Sequence, residues 1–175
     1  AGQSAQAPSH SRQGLRRQAS ALTLDHAQIE ELAGNLPKAL RALDQVAMLL
    51  PQTSGSALLQ GGKSIRRGWL LILTGQERQA RASLEAGLLL TQAYRSPVSL
   101  YAHALLAQLE ANNGRFAAAQ QRLDNVQRLM HSWGVAEVLY RSVLTLSTAR
   151  IWLRNQHQSS ASQLLSRLRE QYDGE

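Results

Sequence analysis

The sequence predicts an all-α fold, a solenoid of about four antiparallel helix pairs, on three observations. First, one unit recurs four times: a turn residue, a small residue five positions on, and Leu four positions after that. The copies are Gly34…Ala39…Leu43, Gly75…Ala80…Leu84, Gly114…Ala119…Leu123 and Asn155…Ser160…Leu164. Second, the turn residues stand 41, 39 and 41 positions apart, and self-similarity at a fixed period of this size marks stacked supersecondary units. Third, apolar residues recur at helical spacing, while Val and Ile are scattered without the alternation a strand requires.

The first unit opens with a helix from about Leu15 to Ala33, carrying Leu22, Ile29 and Leu32. Gly34-Asn35 ends it, because Gly adopts the left-handed C-terminal conformation without a Cβ clash. Asn35 caps the next helix, with Pro37 in its first turn, where a missing N–H costs nothing. Leu36, Leu40, Leu43, Ala47 and Leu50 form its stripe, and Pro51 stops it. Gln52 to Gly62 is rich in Ser and Gly and reads as a linker, with Ser56 as an alternative helix start. A helix follows through Trp69 to Thr74. After Gly75 a helix from about Glu77 to Tyr94 carries Ala80, Leu84, Leu88 and Thr91. Ser96-Pro97 restarts a helix that carries Val98, Tyr101, Leu105, Leu106 and Leu109 and ends at Asn112-Asn113-Gly114. Phe116, Ala119, Leu123, Val126 and Met130 give the fullest stripe, broken by Trp133-Gly134. The last pair runs from Ala136 to Arg154 and from about Ser159 to Tyr172, with Asn155 in the place of Gly.

The units are therefore about 15–51, 56–94, 97–132 and 135–172, within a repeat domain of 15–175. Residues 1–14 are polar and read as a flexible N-terminal arm, a cloning remnant or the edge of an excised fragment. The small residue of each second helix lets the pair approach closely, and the Leu one turn later fills the interface. The predicted core is Leu32, Ala39, Leu43, Leu71, Ala80, Leu84, Leu106, Ala119, Leu123, Ile151 and Leu164.

Composition narrows the function classes. The chain has no cysteine, which excludes disulfides, zinc–thiolate sites and cysteine nucleophiles. No apolar run is longer than the five residues of Trp69 to Leu73, far short of the roughly 20 residues a bilayer span needs, so the expectation is a cytoplasmic protein with no membrane contact. The net charge of +7 is almost all Arg and permits acidic partners. The basic residues are spread out, however. The densest groups, Arg12/Arg16/Arg17 and Lys63/Arg66/Arg67, are not interleaved with aromatics as in single-strand binders, so they read as solvated helix faces. Gly61-Gly62-Lys63-Ser64 has the ending of a phosphate loop, but position 57 is Ala where that loop needs Gly, and no strand precedes it. No two of the five histidines have the i, i+4 spacing of a helical metal site, and no nucleophile elbow is present. The expectation is a non-enzyme without metal or cofactor.

Gly, then Ala five on, then a large apolar residue four on, resembles the tetratricopeptide repeat, and Pro51 lies twelve residues after Ala39, where that repeat usually ends. The tetratricopeptide period is 34; the longer pairs here are similar to the sensor solenoid of the large ATP-dependent LuxR-type transcription activators, of the maltose-regulon activator type. The segment Thr148-Ala149-Arg150-Ile151-Trp152-Leu153-Arg154-Asn155-Gln156, leading to Leu164-Leu165, carries that likeness. So does Ala104-Leu105-Leu106-Ala107-Gln108-Leu109 before Asn113-Gly114-Arg115. The resemblance implies a right-handed superhelical solenoid that binds a small-molecule inducer. DNA would be contacted only through domains absent from this chain.

In such a solenoid the first helix of each pair lines the inner face. Residues there that leave the core stripe are ligand candidates: Arg66 and Trp69; Tyr101 and Gln108, seven apart; and Thr145 and Trp152 with Ala149 between them. Aromatic faces with Arg and Gln suit a sugar, an aromatic or a carboxylate metabolite. The competing reading is that Trp69 and Trp152 simply pack between neighbouring pairs. The alternative function is an adaptor that holds an extended, acidic peptide or protein partner. An uncapped solenoid end would favour self-association.

Overall fold

The computed structural model describes residues 26–49, 57–134 and 137–173, and every regular element among them is helical. Sequence readings that fall on 1–25, 50–56 and 135–136, among them Leu22, Leu50, Pro51 and Arg12/Arg16/Arg17, lie outside those residues. The elements are α1 (26–32), α2 (Leu36–Leu49), α3 (Ala57–Leu73), α4 (Glu77–Thr91) with a short 3-10 turn Gln92–Tyr94, α5 (Pro97–Asn112), α6 (Phe116–Trp133), α7 (Glu137–Arg154) and α8 (Gln158–Asp173). Each even-numbered helix from α4 on packs along the helix before it; α5 also rests on α3, α4 and α7, and α2 on α3.

The recurring turn is one hydrogen-bonded structure used four times. The residue at positive φ donates its N–H to the carbonyl three back, and the next residue donates to the carbonyl five back: Gly34 to Glu31 and Asn35 to Glu30, Gly75 to Ile72 and Gln76 to Leu71, Gly114 to Ala111 and Arg115 to Glu110. This double closure satisfies helix-end carbonyls that would otherwise lack partners. In the fourth copy the donors are Gln156, to Leu153, and His157, to Trp152. Gln156, with φ 60°, holds the left-handed position, and Asn155 does not. The fourth unit is thus one residue later than the sequence reading placed it. Its small residue follows suit: Ala161 is fully buried and Ser160 only half-buried.

A second correction concerns the expected linker, where the alternative helix start near Ser56 holds instead. Residues 57–62 belong to α3, and Gly61 and Gly62 lie inside it. Gly61 is there for contact: a Cβ at that position would stand 2.5 Å from Thr91 Cγ2 and 3.0 Å from the Gly87 carbonyl. Across the interface, a Cβ on Gly87 would stand 2.8 Å from the Gly61 carbonyl. The backbones of α3 and α4 meet at this pair, and a phosphate loop is ruled out at the same time.

Helix α5 sits at the centre. It is buried on nearly all sides, as an Ala/Leu helix without a polar stripe should be. Ala39, Leu43, Leu71, Ala80, Leu84, Leu106, Ala119, Leu123 and Ile151 are buried as expected. Two expected core residues are not: Leu32 is 81% exposed, one residue before the turn, and Leu164 is half-buried, as is its neighbour Leu165 on the last helix.

Candidate functional site

Four of the six sequence-derived candidates come together on the α3, α5 and α7 side. Glu31 of α1 anchors the group: its Oε2 accepts hydrogen bonds from Arg66 Nη2 at 2.8 Å and Arg66 Nε at 3.1 Å, and its Oε1 accepts from Trp69 Nε1 at 3.1 Å. The indole of Trp69 meets the Tyr101 ring at 6.4 Å between centroids and 59° between planes, a tilted arrangement that aromatic quadrupoles favour. The Arg150 guanidinium lies 5.8 Å from the Trp69 ring centroid, within cation–π range. Arg150 Nη1 also donates to Gln108 Oε1 at 3.3 Å, and Gln108 Nε2 donates to the buried Ser147 Oγ at 2.7 Å.

The network fixes the character of the face. Burial, then the Glu31 carboxylate, pushes the Tyr101 phenol up to about 12, against the opposing pull of Arg150 and Arg66. Tyr101 is therefore a neutral hydroxyl at physiological pH. Glu31 occupies Arg66 and the indole N–H, whereas Arg150 is exposed and, among the described residues, meets the neutral Gln108 and Trp69. Side by side, the face offers a half-buried indole, a half-buried phenol and an exposed guanidinium. Trp69 also packs against two core clusters, so the packing reading holds for its inner edge.

The remaining candidates separate. Trp152 is half-buried on α7, two residues from Arg150 and so about 200° round the helix from it; it does not share this face. Ala149 is core. Thr145 lies on α7, and its side chain is outside the described residues. Glu31, Ser147 and Arg150 were not anticipated. The signal that would have found Arg150 is the turn register. Trp69 and Gln108 each stand six residues before their turn residue, Gly75 and Gly114. Six before Gln156 is Arg150; six before Asn155 is Ala149.

Elsewhere, Arg67 Nε donates to Asp44 Oδ1 at 2.9 Å. With Arg66 held by Glu31, two members of the Lys63/Arg66/Arg67 group are already paired with carboxylates. Among the described residues no group of three His, Cys, Asp or Glu is placed to hold a metal ion, and no helix is long and apolar enough to cross a membrane. No family model matches the sequence, and neither a curated protein nor a solved structure matches it.

Proposed function

We propose that this chain is the effector-sensing repeat domain of a multidomain transcription regulator, a right-handed tetratricopeptide-like solenoid of four helix pairs, and that its ligand is a small carboxylate-bearing metabolite with an apolar or sugar-like body. The observation that carries this reading is the convergence of Trp69, Tyr101 and Arg150 from the first helices of three successive units. Stacking on the Trp69 and Tyr101 rings would hold the body of the ligand. Arg150 would leave Gln108 and Trp69 to take the carboxylate as a forked, charge-assisted pair.

A ligand seated there touches three units at once. Its binding would therefore favour one spacing of those units over another, and that differential affinity is the energy available to a switch. The regulator setting rests on the sequence resemblance. A thermal-shift screen of the chain against a metabolite panel tests the reading. A ligand at about 100 times its Kd adds roughly 2.7 kcal/mol, so one chemically coherent group of hits is the expected result, and a panel without hits would sink it.

The adaptor alternative draws on the same face: an acidic peptide would meet Arg150 and the +7 charge of the chain. Its affinity would fall steeply with salt and would require several residues of peptide, which separates it from a small effector.

A further inference from the structure

A second polar concavity lies on the other side of α5. His103 and Glu110 are seven residues apart, about 200° round the helix from Tyr101 and Gln108. They open onto a cleft of about 550 Å³ between α5 and α6, which Arg115, Gln121, Arg122 and Arg128 complete. The volume lies in the range of small-molecule sites, roughly 300–1,000 Å³.

Glu110, the acidic group among these lining residues, is buried and spoken for. Its Oε1 accepts from Arg81 Nη1 and its Oε2 from Arg115 Nε, each at 2.7 Å, and Arg122 Nη2 stands 4.0 Å from Oε1. The carboxylate thus acts as an anchor that orients guanidiniums at the rim. Arg122 Nη1 lies 3.3 Å from His103 Nδ1. Arginine only donates, so Nδ1 accepts and the ring proton resides on Nε2. Burial, then Arg122, holds the His103 pKa below its usual value, which keeps this ring neutral. The lining therefore sets three arginines against one carboxylate.

We propose that this cleft binds a small molecule carrying a phosphate group, with Arg122 and Arg128 as its principal contacts and Arg115 at its edge. The class follows from charge and shape. A phosphomonoester carries about −1.5 to −2 at neutral pH, which matches the excess of two positive charges; a monocarboxylate would leave one uncompensated. Guanidinium forks suit phosphate oxygens. Apart from the half-buried His103 imidazole, which is engaged by Arg122, no aromatic ring lines the cleft, so it lacks the row of exposed stacking rings of a single-strand nucleic-acid site.

The test is calorimetric titration of the chain at pH 7.5 and fixed ionic strength with inorganic phosphate and, separately, with succinate and acetate. The proposal expects saturable phosphate binding, tighter than either carboxylate. It expects a loss of about tenfold or more, the scale of a charge-assisted hydrogen bond, in Arg122→Gln and in Arg128→Gln. Arg128 is exposed, so its variant keeps the test clear of folding defects, and Arg41→Gln, at an exposed position of α2 outside the cleft, should leave phosphate binding unchanged. The proposal is overturned by absence of saturable phosphate binding, by equal or tighter succinate binding, or by unchanged affinity in both arginine variants. The cleft shares no residue with the face formed by Trp69, Tyr101, Gln108 and Arg150, so failure here is distinguishable from failure of the effector reading.

Discussion

Two adjacent glycines should respond to alanine with opposite signs. Gly61 and Gly62 both lie inside α3, where alanine is favoured over glycine by about 1 kcal/mol per residue. At Gly62 a new Cβ meets nothing within 4 Å, so Gly62→Ala should realise most of that gain. At Gly61 the same methyl would stand 2.5 Å from Thr91 Cγ2 and 3.0 Å from both the Gly87 carbonyl and Leu90 Cβ. Thr91 is buried and its hydroxyl is tied to the Gly87 carbonyl at 2.9 Å, so it cannot swing aside cheaply. Overpacking of this kind costs about 1–3 kcal/mol, and the net effect of Gly61→Ala is a loss of up to about 2 kcal/mol after the propensity gain. The two variants should therefore differ by roughly 1–3 kcal/mol. For a chain of this size each kcal/mol moves Tm by about 2–4 °C. Thermal denaturation followed by circular dichroism reads this directly: Gly62→Ala melts above the parent and Gly61→Ala below it. If both melted above the parent, the close approach of α3 and α4 would be refuted.

Three further outcomes follow. Gln156→Gly should stabilise the chain by roughly 1 kcal/mol by relieving a left-handed non-glycine residue, whereas Asn155→Gly should destabilise it; urea titration would expose the reverse order, which would restore the other register. The Tyr101 phenol, ionising near pH 12 in the fold against 10 when unfolded, keeps its proton where the unfolded chain loses it. Stability should therefore fall, by an amount on the order of 2–3 kcal/mol at most, as pH rises across that window, a fall absent from Tyr101→Phe; ultraviolet titration of the phenolate locates the transition. His103 is the opposite case: its folded pKa lies below 6.5, so the unfolded chain binds its proton first. Stability should drop as pH falls below that value, and Tm against pH in a phosphate-free buffer should be flatter for His103→Gln.

The all-helical character, the helix ends and most of the core could be read from the sequence because they depend on local chemistry. A glycine where φ must be positive and an apolar stripe at 3.6 spacing need no knowledge of the rest of the chain. The fourth turn went astray because left-handed preference alone ranks Asn above Gln, so Asn155 attracted the assignment. The hydrogen bonds from Gln156 and His157 place it one residue later. Arg150 escaped for a different reason: helical spacing alone selected Thr145, Ala149 and Trp152, a neighbouring face of α7, and only the true turn register aligns Arg150 with Trp69 and Gln108. Gly61-Gly62 misled differently: Ser/Gly composition signals a linker, but glycine also serves where two helices touch, and only the position of α4 decides between them. Glu31 was out of reach because its role depends on α1 folding back on α3, a long-range contact with no periodic trace.

The most direct test of the account is calorimetric titration of the strongest thermal-shift hit into the parent chain and into Trp69→Ala, Arg150→Gln and Trp152→Ala. Binding that is lost in the first two and kept in the third would place the effector on the face formed by α3, α5 and α7. Binding that survives in Trp69→Ala and Arg150→Gln would contradict that assignment.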